Sequence, residues 1–144
     1  MFSHILIATD GSEVATKAVS AGLKLAKKLA ARVVVMTASE PLPATVSAET
    51  IAANFPEAYE KATKASAARI LDEVRGEALT IGLECETLHV SNFPAEAIIE
   101  TAKANACDLI VMGSHGRRGI ARLLLGSQAA KVVTLSSVPV LVCR

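Results

Sequence analysis

Residues 4–12 of the chain read His4-Ile5-Leu6-Ile7-Ala8-Thr9-Asp10-Gly11-Ser12, an apolar run that stops at a short polar turn. An apolar run without polar alternation is typical of a strand that is buried on both faces of a sheet. Ser12 is suited to cap the helix that follows, because its hydroxyl can accept a hydrogen bond from a free N–H group of the first turn. The expected apolar positions of this helix, at helical spacing, are Val14, Ala18, Ala21, Leu25 and Leu29.

The same strand-then-helix unit recurs along the chain. Two prolines in Ser39-Glu40-Pro41-Leu42-Pro43 end regular structure, so we expect a loop or flap over 41–54. Polar Glu84 and Glu86 alternate with less polar neighbours, which places the third strand toward a sheet edge. The pattern predicts one α/β domain over 1–144, an open parallel sheet with helices on both faces. Further strands are predicted at 33–36, 83–90, 108–112 and 138–142, and helices at 57–79, at 95–104 and from Gly126-Ser127 through Val133, with 4–8 and 109–112 at the centre of the sheet.

Composition excludes several classes of protein. The 144 residues are 51% hydrophobic, which suffices for one buried core without disulfides or structural metals. A net charge of +1 argues against nucleic acid as the main partner, because binding to a phosphate backbone needs a clustered positive excess. The cysteines Cys85, Cys107 and Cys143 are odd in number and far apart, unlike a disulfide framework or a zinc site. No apolar run reaches the roughly 18 residues of a membrane span and no secretory signal is evident, so we expect a cytoplasmic protein without membrane insertion.

Two loops are suited to bind a ligand, since ligands of open parallel sheets bind beyond the carboxyl ends of the strands. One loop is Thr9-Asp10-Gly11-Ser12, and the other runs from Gly113 to Gly119. Gly113, Gly116 and Gly119 lack β-carbons, so their backbone amides can approach an anion. The helix that opens at Gly126-Ser127 would favour phosphate at its N-terminus, with Ser127 either capping it or donating to a phosphate oxygen. The alternative is a tight turn followed by an ordinary helix cap.

The spacing Gly113-x2-Gly116-x9-Gly126-Ser127 resembles the G-2x-G-9x-G-[S/T] nucleotide loop of the universal stress protein family. The opening strand and loop (4–12), the fourth strand and loop (108–116) and the closing strand (138–142) also resemble that family, whereas 41–82 is the least similar part. The resemblance implies a Rossmann-like, HUP-type sheet of five strands in the order 3-2-1-4-5. It also implies a homodimer and the binding of ATP, or of ADP or AMP.

Residues of the site are also implied by this resemblance. Ala129 departs from the family, because ATP-binding relatives often carry a second hydroxyl residue there. The loss of one neutral hydrogen bond, about 0.5–1.5 kcal/mol, would lower affinity about tenfold. The implied nucleotide-binding residues are Ala8, Thr9 and Asp10 after the first strand, the backbone of Ala38, Met112, Gly113, His115 and Gly116 around the ribose and phosphates, and Gly126, Ser127, Gln128 and Ala129 at the phosphates.

Several side chains allow two interpretations. Asp10 could orient ribose hydroxyls or hold a Mg²⁺ ion that bridges the phosphates, or it could stabilise the turn before the first helix. His115 could be a general acid or base, although no partner acid is evident, or simply a loop side chain that flanks the ligand. Arg117, Arg118 and Arg122 could neutralise phosphates or bind a partner protein, or form a solvated face.

The leading functional hypothesis is an ATP-binding sensor or regulator whose nucleotide state is read by a regulatory protein partner. A slow ATPase or a phosphoryl- or adenylyl-transfer enzyme that uses Asp10, His115 and a metal is the second hypothesis, and a nucleotide-free dimeric module is the third. No nucleophile–base pair is evident, so no catalytic residue is assigned. The closing strand, Val138 to Val142, would pair with its copy in a second chain, because an exposed apolar edge strand is usually covered.

Overall fold

Five parallel strands form the centre of the computed structural model, which describes residues 1–43, 45–117 and 124–144. Counted along the chain, the strands lie in the order 3-2-1-4-5 across the sheet, which confirms the predicted order and the central position of the first strand beside the fourth. Ile5 is in register with Val33 on one side and with Leu109 on the other. The strands are β1 (His4–Ala8), β2 (Arg32–Ser39), β3 (Glu86–Ser91), β4 (Leu109–Gly113) and β5 (Val140–Cys143).

Helices cover both faces of this sheet, as predicted. α1 and α3 bury one face in a core that includes Ile7 and Leu71, and α4 and α5 bury the other in a core that includes Leu6 and Ile98. No helix in the described ranges is both long enough and apolar enough to cross a membrane. The helices are α1 (Glu13–Leu29), α2 (Ala48–Ala52), α3 (Phe55–Thr80), α4 (Pro94–Ala104) and α5 (Ser127–Leu135).

Helix α1 begins as predicted but buries a different stripe. The hydroxyl of Ser12 accepts a 3.3 Å hydrogen bond from the N–H group of Ala15 and caps the helix. The expected positions Ala21 and Leu29 are exposed. Small residues face the sheet instead, and a β-carbon at Gly22 would lie 2.7 Å from Cδ1 of Ile7 and 3.3 Å from Cγ1 of Val111. The buried residues of α1 are Ala15, Ala18, Val19, Gly22, Leu23 and Ala26.

The segment predicted as a loop over 41–54 contains the short helix α2. Ser47 caps α2, since its hydroxyl accepts a 3.2 Å hydrogen bond from the N–H group of Thr50. Asn54 then adopts φ 57° and starts α3 at Phe55, two residues before the predicted boundary. Ala44 lies outside the described residues.

Strand β3 also starts later than predicted, at Glu86 instead of residue 83. The N–H group of Leu83 donates a 2.9 Å hydrogen bond to the carbonyl of Ala78, so Leu83 completes the C-terminal turn of α3 and does not join the sheet. The edge position expected for β3 is confirmed.

A carboxylate at the start of β4 fixes the N-terminal segment at the amino end of the sheet. Asp108 accepts hydrogen bonds from the backbone N–H groups of Ser3 (2.8 Å) and His4 (3.0 Å) and from the hydroxyl of Ser3 (2.8 Å). This end of the sheet lies opposite the strand ends where the two predicted loops meet.

Candidate functional site

A cavity of about 260 Å³ lies where β1 and β2 end, and the N-terminal half of α3 forms its outer wall. Two of the predicted site residues, Asp10 and Ala38, line it together with Arg117. The other predicted site residues do not line this cavity, and Arg118 and Arg122 lie outside the described residues. The remaining lining residues are Thr37, Ser39, Glu40, Tyr59, Thr63, Ser66, Ala67 and Ile70.

The peptide groups of Ala38 have no strand partner on the side of β1. Successive residues of a strand between two parallel neighbours direct their backbone groups to alternate sides. The carbonyl of Met36 accepts a 3.0 Å bond from Thr9, on the β1 side, and the carbonyl of Ser39 accepts a 3.1 Å bond from Asn92, on the β3 side. The N–H and C=O groups of Ala38 therefore face the β1 side, where β1 has already ended at Ala8. One donor and one acceptor lie side by side at the cavity.

Asp10 joins the two loops that the sequence predicts to face each other. Its Oδ1 accepts a 2.9 Å hydrogen bond from the N–H group of Ser12, and its Oδ2 accepts a 2.8 Å hydrogen bond from the N–H group of Arg117. The neighbouring hydroxyl of Thr9 accepts a 3.1 Å hydrogen bond from Gly11, whose φ of 77° suits a residue without a side chain. The turn-stabilising role predicted for Asp10 is confirmed, while its role toward ribose or Mg²⁺ stays a prediction.

Two loop glycines make room for the protein itself. A β-carbon at Gly116 would lie 2.8 Å from Oδ2 of Asp10, and one at Gly113 would lie 3.0 Å from Cγ1 of Val14 and 3.2 Å from the nitrogen of Ala15. The contacts with Asp10 and α1 are therefore sufficient to explain why glycine occupies positions 113 and 116, without the anion that we predict from the sequence. Gly119 lies outside the described residues.

The N-terminus of α5 is open. Gly126, not Ser127, is the N-cap residue, and within the described part of the chain no side chain caps this helix. The first hydrogen bond of the helix joins the N–H group of Ala130 to the carbonyl of Gly126 at 2.9 Å. The N–H groups of Ser127, Gln128 and Ala129 thus have no acceptor within the helix, and together with the helix dipole they favour an anion.

The side chains of this first turn have different environments. Ser127 is exposed. The Oε1 atom of Gln128 accepts a 3.1 Å hydrogen bond from the N–H group of Ala95, so Gln128 caps α4. Ala129 is only 2% exposed, and its methyl group packs into the core that α4 and α5 cover. An anion at α5 would therefore meet the backbone of Gln128 and Ala129, and the buried β-carbon explains why an apolar residue fits at position 129.

His115 lies between the glycine loop and α5. Its Nδ1 is 2.9 Å from the hydroxyl oxygen of Ser114, while its Nε2 is buried and has no hydrogen-bond partner among the described residues. The His115 ring also lies beside Gly126, with Cδ2 3.8 Å from a β-carbon placed there. The side chains of Ala8 and Met112, two of the predicted site residues, are buried in the core that α4 and α5 cover.

Ser114 connects the glycine loop to the edge of the sheet. Its N–H group donates a 2.7 Å hydrogen bond to the carbonyl of Cys143 in β5, and its carbonyl accepts a 2.7 Å hydrogen bond from the N–H group of Gly126. The cap of α5 and the last residue of the edge strand are therefore two hydrogen bonds apart.

The chain alone offers little to a metal ion. Within the described ranges, no group of three or more His, Cys, Asp or Glu side chains is placed to hold one. Mg²⁺ commonly binds through one or two carboxylates together with substrate phosphates, and Asp10 supplies one such carboxylate.

Sequence reasoning missed the α3 wall of the cavity. Tyr59, Thr63 and Ser66 recur at intervals of four and three residues, which places them on one helix face. That spacing was the available signal, but a polar stripe of this kind is also typical of a solvated helix surface. The face becomes part of a site only because α3 crosses the end of β2.

A family model described as "Universal stress protein family" matches residues 1–144. Universal stress protein YxiE of Bacillus subtilis is 33% identical over 148 residues, which cover 100% of both chains. A universal stress protein of Thermus aquaticus is 38% identical over 146 residues, again covering 100% of both chains.

Solved structures share the fold. The structure of hypothetical protein MJ0577 superimposes with a TM-score of 0.84 at 26% identity, covering 99% of this chain and 96% of that one. A universal stress protein in complex with cAMP superimposes with a TM-score of 0.74 at 28% identity, covering 99% and 97% of the two chains.

Proposed function

Because the chain belongs to the universal stress protein family, we propose that it binds an adenine nucleotide, ATP foremost, and acts as a nucleotide-dependent sensor or regulator. The base occupies the cavity between β2 and α3, and the phosphates extend toward the start of α5. The cAMP complex of a universal stress protein that is 28% identical to this chain supports an adenine nucleotide as the ligand.

The peptide groups of Ala38, which have no backbone partner on the β1 side among the described residues, are the observation that carries this proposal. Adenine presents an acceptor, N1, beside a donor, the N6 amino group, and the Ala38 N–H and C=O groups complement this pair. Guanine presents a donor at N1 and an acceptor at O6, which reverses the pattern. A buried polar group left unpaired costs about 1–3 kcal/mol, so the site should discriminate between the two purines.

The open turn of α5 supports the placement of the phosphates. At about 260 Å³, the cavity is smaller than most pockets that enclose a whole drug-sized ligand. It suits a nucleoside, and the phosphates must then lie outside it. The Asp10–Arg117 contact joins the cavity to the loop that leads to α5, so a nucleotide can span both parts.

A carboxylate beside a polyphosphate needs a counter-charge. Each oxygen of Asp10 accepts one N–H group, and the remaining lone pairs suit a hard cation. A Mg²⁺ ion, when bound, would neutralise phosphate charge next to Asp10. The guanidinium of Arg117, at the cavity, supplies a second positive charge.

Binding measurements test the proposal. Natively purified protein is denatured, and released nucleotide is identified by mass spectrometry. Stripped protein is then titrated with ATP and with GTP by calorimetry, with and without Mg²⁺. We expect ATP to bind at least about tenfold more tightly than GTP. Equal affinities, or no binding of ATP at millimolar concentration together with no released nucleotide, would contradict it and favour a nucleotide-free dimeric module.

The exposed edge of β5 supports a second copy of this chain as a partner. Leu141 is 40% exposed, and in the described part of the chain β5 pairs only with β4. Antiparallel pairing with the β5 strand of a second copy would cover this edge and give a homodimer. A regulatory protein that reads the nucleotide state, and the cytoplasmic location expected from the sequence, stay predictions. No catalytic function is proposed.

A further inference from the structure

The cavity wall carries two hydroxyl groups that the protein does not use. Five hydroxyl side chains line the cavity. Three are engaged: Ser39 bonds to a histidine ring, Tyr59 donates to a backbone carbonyl, and Thr63 donates to a carbonyl of its own helix. The hydroxyls of the other two, Thr37 and Ser66, form no side-chain hydrogen bond within residues 1–43, 45–117 and 124–144. The cavity therefore offers two free donors on facing elements.

Thr37 is the more informative of the two. It is only 3% exposed, yet it lines the cavity on the face of β2 that α3 covers. Buried hydroxyls almost always have a hydrogen-bond partner. Its oxygen is not among the buried side-chain atoms left without a partner, so it is accessible from the cavity, where water or a ligand can bind to it. A valine would fill the same volume but could not form such a bond. Ser66 lies across the cavity on α3, next to the buried Ala67.

The geometry points to Thr37 and Ser66 as specificity-determining residues that donate hydrogen bonds to the purine ring nitrogens N3 and N7, one hydroxyl to each nitrogen, outside the edge that Ala38 contacts. This inference rests on the proposed function. Thr37 adjoins Ala38 on β2, so a base bound to the Ala38 backbone brings a second edge within reach of the Thr37 side chain. Both N3 and N7 of adenine are unprotonated acceptors, which a hydroxyl can satisfy. A pyrimidine has no second ring to present such a nitrogen.

Paired changes in protein and ligand test this inference. The protein variants are Thr37→Val and Ser66→Ala, which remove a hydroxyl, and Thr37→Ser, which keeps it. Thr80→Val is the matched control, because the Thr80 hydroxyl donates to the carbonyl of Glu77 in the same helix, α3, and Thr80 does not line the cavity. Each is titrated with ATP, 7-deaza-ATP and 3-deaza-ATP, and thermal unfolding checks that each variant is folded.

We expect Thr37→Val and Ser66→Ala each to weaken ATP binding about two- to tenfold, the effect of one neutral hydrogen bond. Thr80→Val should bind ATP like the wild type, and Thr37→Ser, which keeps the hydroxyl, should retain the affinity that Thr37→Val loses. Both deaza analogues should bind the wild type more weakly by a similar factor. The analogue that loses little more affinity in Thr37→Val identifies the nitrogen that Thr37 contacts, and the other analogue should behave in the same way in Ser66→Ala.

Two results would overturn the inference, and they differ from each other. In the first result, the wild type prefers ATP to GTP, but both variants, Thr37→Val and Ser66→Ala, bind ATP as tightly as the wild type does, and the wild type binds both deaza analogues as tightly as it binds ATP. The base is then recognised through Ala38 alone, and the hydroxyls only bind water. If wild type binds none of the nucleotides, the proposed function fails, and this inference fails with it. The ligand analogues decide the matter even if Thr37→Val does not fold.

Discussion

The carboxylate of Asp10 accepts a 2.8 Å hydrogen bond from the backbone N–H group of Arg117, which lies 107 residues further along the chain. This bond joins the loop after β1 to the loop after β4, the two loops at the carboxyl ends of adjacent central strands. Gly116 allows it, since a β-carbon there would lie 2.8 Å from the same carboxylate oxygen.

Substitutions at Asp10 and Gly116 should therefore be energetically coupled. The backbone of Gly116 does not require a positive φ, so the effect of Gly116→Ala should come from displacing Asp10. We expect Gly116→Ala to lower the free energy of unfolding by about 1–2 kcal/mol in the wild type and by less than about 0.5 kcal/mol in an Asp10→Ala background. Urea denaturation of the four proteins measures the coupling. Equal effects in the two backgrounds would show that the contact contributes nothing.

The open start of α5 makes Ser127→Asp a test of phosphate placement. An acidic residue in the first turn interacts favourably with the helix dipole and should stabilise the domain by about 0.3–1 kcal/mol. The same charge beside a phosphate should weaken ATP binding about tenfold or more. Ser127→Ala is the control that removes only the hydroxyl. Unchanged ATP affinity in Ser127→Asp, measured by calorimetry, would place the phosphates elsewhere.

The exposed edge of β5 predicts a dimer that a charge should disrupt. Leu141→Lys introduces a charge on the edge strand, where it opposes strand pairing, and should weaken self-association at least about tenfold. Leu79→Lys is the matched control, because Leu79 is 67% exposed at the end of α3. Sedimentation equilibrium measures both. A wild type that is monomeric at high concentration, or a Leu141→Lys variant that still dimerises as the wild type does, would exclude this interface.

Asp108 should contribute to stability in a pH-dependent way. Burial raises the pKa of its carboxyl, but hydrogen bonds from Ser3 and His4 outweigh burial and hold the pKa below its ordinary value of 3.8. Since the folded pKa is the lower one, the stabilisation is fully present above pH 3.8 and is lost as pH falls through the folded pKa. Asp108→Asn should lower the free energy of unfolding by about 1 kcal/mol at neutral pH and flatten its decline below pH 4. An unchanged acid limb would contradict this.

The three thiols should differ in reactivity. Burial raises the pKa of the Cys107 thiol to about 11, with Asp108 adding to the effect. At pH 8 only roughly one thiol in a thousand would then be ionised, so Cys107 should resist iodoacetamide in the folded protein. Cys85 and Cys143, which are only half-buried, should be modified before Cys107. Peptide mass spectrometry over a time course compares them, with urea-denatured protein as the control, and equal rates in the folded protein would refute the prediction.

The sheet could be predicted because its signals are local. The apolar runs of β1 and β4 and the cap at Ser12 each depend on a few consecutive residues, and the structure confirms them. The order of the strands came from a family resemblance, since spacing along the chain does not determine which strands are neighbours.

The site was predicted less completely, because its contacts are distant in sequence. Capping of α5 by Ser127, one of the two roles predicted for that residue, was wrong. The N-cap is Gly126, which has the extended conformation of such a residue, with φ −67° and ψ 161°. The reason for a glycine at position 116 is a carboxylate at position 10, which no local pattern shows. The α3 wall could not be predicted, because it depends on how α3 crosses β2 in three dimensions. Thr37 could not be singled out, because its sequence context is that of an ordinary residue in a buried strand.

Gly22 lies on α1, outside the candidate site, but it packs against the two strands that carry the loops of the site. A larger residue there would displace the side chain of Ile7 in β1 and press on Val111 in β4, so one helix position packs against both central strands. Those two strands carry the loops that Asp10 and Arg117 join. We expect a larger residue at position 22 to shift these two strands and so to change the shape of the cavity entrance, although it would contact no residue of the site.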